Sequence, residues 1–220
     1  MSLAAPALFV GHGSPMNAIE NTPSAQFWRE LAGRFPRPRA VLCVSAHWVS
    51  QGVRVTASPR PRTIHDFGRG FPQALFEVQY PAPGDRALAQ DLASRLGGFG
   101  AQLDEDRGLD HGAWSVLRRM YPEADVPVVQ LSLDARRGPA EHFALGQALC
   151  PLRAQNVLLL AAGNIVHNLP AFFGAGEIEP WVERFDRFVT DAAIRAEPAS
   201  VLEYRAHPDA AQAAPDWDHF

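Results

Sequence analysis

Five of the chain's eight histidines sit among glycine, aromatic or acidic neighbours: Gly11-His12-Gly13-Ser14-Pro15, Ser45-Ala46-His47-Trp48, Asp110-His111-Gly112-Ala113-Trp114, Asn164-Ile165-Val166-His167-Asn168 and Asp218-His219-Phe220. A neutral imidazole binds transition metals, and the same ring exchanges protons near neutral pH. His12, His47 and His167 follow apolar runs ending at Val10, Val44 and Ala161. If those runs are strands, three imidazoles arrive at the carboxyl edge of a sheet, where open α/β folds bind ligands. Singly, each has an ordinary reading, a turn residue for His12 and a partly buried loop residue for His47. Together they point to a metal centre. The glycines flanking His12 permit close backbone approach, which favours a site over a simple turn. His111 precedes a helical pattern, and at a helix N-terminus the dipole disfavours the imidazolium, leaving a neutral ring able to donate or accept. A plain helix cap is its alternative. His65, His142 and His207 have weaker cases, and His142 reads as a solvated face residue.

The elements that must position these rings are legible as apolar periodicity. Ala7–Val10, Ala40–Val44, Val126–Leu131 and Val157–Ala161 are short continuous runs, as strands covered on both faces are, and Val53–Thr56 alternates like a half-buried one. Phe27, Trp28, Leu31, Ala32 and Phe35 form a helical stripe with Thr22 as N-cap and Pro23 at the first helical position. Leu88, Leu92 and Leu96 form a second stripe. Trp181, Phe185, Phe188, Val189 and Ala192 form a third, and Ala113, Val116, Leu117 and Met120 a shorter helix starting just after His111. Strands alternating with helices predict a single α/β domain with a central, largely parallel sheet flanked by helices. The segment from His207 to Pro215 reads as loop.

The composition excludes several classes. A length of 220 residues suits one domain, and a net charge of −4 with interspersed signs gives no nucleic-acid footprint. No apolar stretch approaches the roughly 20 residues that span a bilayer, and the N-terminus lacks the basic region of a signal peptide. Cys43 and Cys150, both among apolar neighbours, read as buried free thiols, so a cytoplasmic setting is expected. There is no phosphate-loop Gly-Lys-Ser/Thr after Gly13 and no Gly-x-Ser-x-Gly elbow. Oligomeric state is not written in the sequence.

In chain order, the segments Gly11–Pro15, Ser45–Trp48, Ile64-His65-Asp66-Phe67-Gly68 with Phe71-Pro72, Tyr80–Gly84, Leu109–Trp114, Pro127–Ser132 and Gly163–Leu169 are familiar. Together they resemble the class III extradiol ring-cleavage dioxygenases, in the 4,5-DOPA dioxygenase branch, from residue 9 onward. The resemblance implies an enzyme that opens a catecholic ring with O₂. It places metal ligands on His12, His47 and His219, and His167 at the metal edge as acid/base or fourth ligand. His111 lines the oxygen and substrate pocket. The implied metal is Fe(II), and an all-histidine set also suits Zn²⁺. A zinc-dependent hydrolase and a non-catalytic ligand- or partner-binding member are the alternatives. The family continues past its His-Phe motif with a further apolar strand, so a C-terminal element is expected to be missing here. With so little chain beyond it, His219 is expected to be ordered only with metal bound, the tail fraying after about Pro215.

Overall fold

The computed structural model of the chain describes residues 4–174 and 178–220. Six strands form one mixed sheet: β1 (Ala7–Gly11), β2 (Ala40–Ser50), β3 (Arg54–Thr56), β4 (Gln102–Asp104), β5 (Val128–Asp134) and β6 (Val157–Gly163), in the order β1-β6-β2-β5-β3-β4. Every pairing is parallel except β3 with β5. The helices are α1 (Pro23–Ala32), α2 (Gln73–Phe76), α3 (Arg86–Arg95), α4 (His111–Met120), α5 (Pro139–Leu149), α6 (Leu169–Gly174), α7 (Pro180–Ile194), α8 (Pro198–Leu202) and α9 (Ala210–Ala213). The expected single α/β architecture is the one observed.

The central strands alternate their side chains between two cores, as the period of two requires. Val41 and Cys43 of β2 join Leu158 and Leu160 of β6 under Trp28 of α1 and Trp114 and Leu117 of α4. Ala40 and Leu42 face the other way, onto Leu88 and Leu92 of α3 and Leu145 and Leu149 of α5. Burial on both faces is why these strands read as unbroken apolar runs. Thr22 caps α1 and Pro23 opens it, as expected. A third cluster gathers Trp181 and Phe185 of α7 with Tyr204, Ala210, Ala213 and Phe220. It holds the C-terminal segment against the carboxyl edge of β6.

Several expectations need correction. β2 does not end at Val44 but runs to Ser50, so His47 lies within a strand. The register of β2 against β5 pairs Val44 with Leu131 and then Val49 with Leu133. The residues between them form a bulge, which bends a strand and re-aims its side chains. Apolar pattern cannot reveal this, because Ser45, Ala46 and His47 break the hydrophobic run. β4, polar at its ends, carried no signal and was missed. β5 starts at Val128 because Pro127 has no N–H for a ladder. Residues Ala210–Ala213 are helical, not loop. Cys43 is buried but Cys150 is exposed, and neither is in a disulfide.

Phe185 is fully buried and its ring lies 5.5 Å from that of Phe220 and 6.5 Å from that of Tyr204. Phe185→Ala should therefore destabilise the protein by about 3–5 kcal/mol. Hydrogen exchange should speed most in residues 204–220; uniform protection of that segment would show that the third cluster does not anchor it.

Candidate metal centre

His12 leaves the end of β1. Its backbone N–H donates to the Gly163 carbonyl at 3.0 Å, and its own carbonyl accepts from Asn17 Nδ2 at 3.1 Å. Gly13 follows with φ +56°, in the left-handed region that a side chain would strain. Arg119 donates to the carbonyls of Asn17 and Glu20, tying this loop to α4.

His47 is aimed by a buried polar network. Ser45 Oγ donates to Asp110 Oδ1 at 2.6 Å and accepts the His47 N–H at 3.2 Å. Arg107 bridges the His47 carbonyl and Asp110 Oδ2, both at 3.1 Å, and Gln130 Nε2 donates to the same oxygen at 2.9 Å. Asp110 is also the N-cap of α4, accepting from the Ala113 N–H. His111 follows directly as the first helical residue, so one carboxylate positions two histidines from different elements.

The rings converge. Nε2 of His47 lies 3.3 Å from Nε2 of His12. Ring centroids separate His47 from His111 by 3.9 Å and from His219 by 4.8 Å, and His12 from His219 by 5.4 Å. Three rings have the Nδ1 side committed. Nδ1–H of His12 donates to the Gly13 carbonyl at 2.9 Å, that of His111 to Asp66 Oδ1 at 3.0 Å and that of His219 to Asp218 Oδ1 at 3.0 Å. Such partners fix the tautomer, leaving Nε2 as a bare lone pair. Nε2 of His219 is buried and meets no hydrogen-bond partner among the described residues. His12, His47 and His111 each offer a ring nitrogen within 4.8 Å of the others, so they could hold a metal ion. The nitrogens of this set are mutually close, whereas His219 adds a neighbouring ring whose buried Nε2 is left free to ligate.

His167 reaches this cluster through His219: the two rings stack in parallel, 3.6 Å apart. Its backbone N–H is tied to the Ala213 carbonyl at 2.8 Å. The tail also makes contacts that involve no ion. The His219 carbonyl accepts the Asn164 N–H at 2.7 Å, and Phe220 lies 4.2 Å from Tyr204 between ring centroids. His65 and His207 stand outside the cluster; His65 bonds the Val78 carbonyl and His207 accepts the Asp209 N–H. His142 is half-buried rather than solvated, because its Nε2 accepts the Asp134 N–H at 3.2 Å.

Burial, then the neighbouring His111 and His219, lowers the pKa of His47 to about 3. Burial and His47 hold His12 well below the ordinary value, and burial and His219 lower His167 as well. Burial alone would raise Asp66, but hydrogen bonds from His111 and the nearby imidazoles bring it down to about 2. These histidines are therefore neutral at neutral pH, the form that ligates. Asp66, Ser45 and Asp110 received no role from sequence. The one available signal was an acidic residue directly before or after a histidine, at His65-Asp66, Asp110-His111 and Asp218-His219.

An α/β sheet whose carboxyl edge gathers buried imidazoles that could hold a metal is the arrangement of a non-haem metalloenzyme. The chain belongs to the family described as the catalytic LigB subunit of aromatic ring-opening dioxygenase, whose model matches residues 6–220. It is thus an extradiol ring-opening dioxygenase by family. It is 49% identical over 187 residues to a 4,5-DOPA dioxygenase extradiol of Escherichia coli K12, covering 84% of this chain and 69% of that one. It is 38% identical over 220 residues to a 4,5-DOPA dioxygenase extradiol of Beta vulgaris, covering 95% and 78%. The crystal structure of an uncharacterized Escherichia coli K12 protein superposes with a TM-score of 0.82 at 38% identity, covering 98% and 84%. No helix among the described residues is long and apolar enough to cross a membrane.

A Cβ on Gly112 would lie 2.4 Å from Ser45 Oγ and 3.0 Å from a ring carbon of His47. Gly112→Ala should push His47 off its position and weaken Zn²⁺ binding at least tenfold by chelator competition; unchanged affinity would mean that the bulge can absorb the methyl group.

Stability should also depend on pH with a definite sign. An unfolded histidine titrates near 6.5, while folded His47 titrates at about 3. Between those values the unfolded chain binds more protons, so the stabilisation is full above pH 6.5 and is lost progressively as pH falls toward 3. Calorimetry of the metal-free protein should show a melting temperature declining below about pH 6.5; a flat profile would contradict neutral burial.

Proposed function

We propose that the chain opens catechols bearing a DOPA-like side chain, that Fe(II) held by His12, His47 and His219 is its working metal, and that Zn²⁺ fills the same site. His167 and His111 are its catalytic side chains. The observation that carries this reading is the facing pair of Nε2 atoms on His12 and His47 at 3.3 Å, with the ring of His219 beside both and its buried Nε2 unpartnered among the described residues. Bound there, the ion would supply positions for both diol oxygens and for dioxygen, which limits the protein to about three strong ligands.

The stacked geometry supports a proton role for His167 in place of a fourth ligand. The parallel stack sets the His167 nitrogens in a plane of their own, beside the ring of His219 that would hold the ion. A neutral His167, kept so by burial, can take the second phenolic proton on its imidazole and return it to an oxygen of the opened product. His111, with Nδ1–H held by Asp66, presents Nε2 to the pocket as an acceptor. Phe67, edge-on to His111 at 5.6 Å and to Phe71 at 5.3 Å, supplies an apolar wall suited to a flat ring. In the overall reaction the carbon–carbon bond beside the diol breaks and both atoms of O₂ enter the product. Two free thiols, Cys43 and Cys150, support a cytoplasmic setting.

The test is anaerobic loading with Fe(II), addition of DOPA or a simpler catechol, and then admission of oxygen. One O₂ should be consumed per catechol as a yellow semialdehyde accumulates; catechol that merely oxidises to quinone would sink the proposal. His12→Ala should release metal together with activity. His167→Ala should retain metal while kcat falls by ~10²–10⁴-fold. Equal metal loss in both variants would make His167 a ligand.

A further inference from the structure

Asp66, in the loop after β3, faces two histidines of the centre at once. Its Oδ1 accepts the His111 backbone N–H at 2.9 Å and the His111 Nδ1–H at 3.0 Å. Its Oδ2 stands 3.7 Å from Nδ1 of His47, longer than a hydrogen bond and within range of a charge interaction. The side chain is 21% exposed, so this field is only partly screened by water.

His47 has two competing demands on its single proton. Nε2 of His12 is a bare lone pair, because the Nδ1–H of that ring is committed to the Gly13 carbonyl. Nε2 of His47 faces it at 3.3 Å. Two lone pairs at that distance repel, so without an ion the proton of His47 belongs on Nε2, shared with His12. An ion needs that same Nε2 bare. Loading therefore removes the proton from Nε2 and leaves one on Nδ1, with no change in the charge of the ring. The acceptor facing Nδ1 is Oδ2 of Asp66.

We infer that Asp66 is the positioning residue that makes His47 available as a ligand, Oδ2 receiving the Nδ1–H that appears when Nε2 turns to the metal while Oδ1 holds His111. The inference rests on the reading of His47 as a ligand. It also explains why a carboxylate stands here. Two clients occupy two acceptor oxygens, whereas an amide has one oxygen and must present its NH₂ to the other ring. A donor set against Nδ1 favours the tautomer that blocks Nε2. Loss of such an outer partner weakens metal binding by about 10–100-fold.

The experiment uses the whole chain, Zn²⁺ and long-range ¹H–¹⁵N spectra of the histidine rings, with affinity measured by chelator competition. In the wild type, His47 should carry Nε2–H without metal and Nδ1–H with zinc, while His111 carries Nδ1–H throughout. Asp66→Asn should weaken zinc binding by about 10–100-fold, measured well below the melting temperature of the metal-free variant. The inference is overturned by a wild-type His47 already in the Nδ1–H form before zinc, by a His111 in the Nε2–H form, or by a variant that binds zinc as the wild type does. Should Asp66→Asn fail to fold, the wild-type spectra decide alone. Neither readout involves catechol or oxygen, so failure of ring opening would remove the proposed activity and leave this inference standing.

Discussion

A carboxylate with no exposed surface lies where the bulge of β2 meets the start of α4. Asp110 takes hydrogen bonds from Ser45, Gln130, Arg107 and the helix N-terminus, four donors for one buried charge. Burying an ionised group alone is costly, and it is tolerated here because its lone pairs are filled. The saturation has a structural consequence. Ser45 in turn fixes the His47 backbone, and the helix that Asp110 caps begins with His111. Gly112 can have no side chain because this junction is already full. The distance between two histidines from different elements is thereby set by a group that touches neither ring.

The second constraint is electrostatic. Imidazoles this close repel one another once protonated, and burial already disfavours their charged form. Both effects push the same way, which is why His12 and His47 are driven so far below the free value. His12 and His47, held neutral in this way, stay ready to ligate at neutral pH. Fixed Nδ1 partners, a carbonyl for His12 and carboxylates for His111 and His219, complete the preparation by orienting the lone pairs.

Much of this could be read from the chain itself. The buried strands announced themselves as apolar runs, and α1 by Thr22 and Pro23, because those signals are local. His12, His47, His111, His167 and His219 were each legible in their short settings, and all five meet at the carboxyl edge of the sheet. What escaped was non-local. The bulge is a property of the β2–β5 register, which no single segment encodes. Asp66 and Ser45 act through partners 45 and 65 positions away, distances at which sequence pattern is silent. The parallel stack of His167 on His219 depends on the third core cluster, assembled from α7, α9 and the tail.

The centre also joins segments far apart in the chain, since His12 follows the first strand and His219 lies about two hundred residues later. A ribosome adding roughly 5–20 residues per second exposes His12 and His47 about ten seconds or more before His219 is made. Until then the nascent chain offers cellular metal a two-imidazole edge with none of the third core cluster over it. The imidazole cluster is thus completed only after the strands that carry its first two rings have been made, and synthesis itself orders the events: sheet first, His219 later.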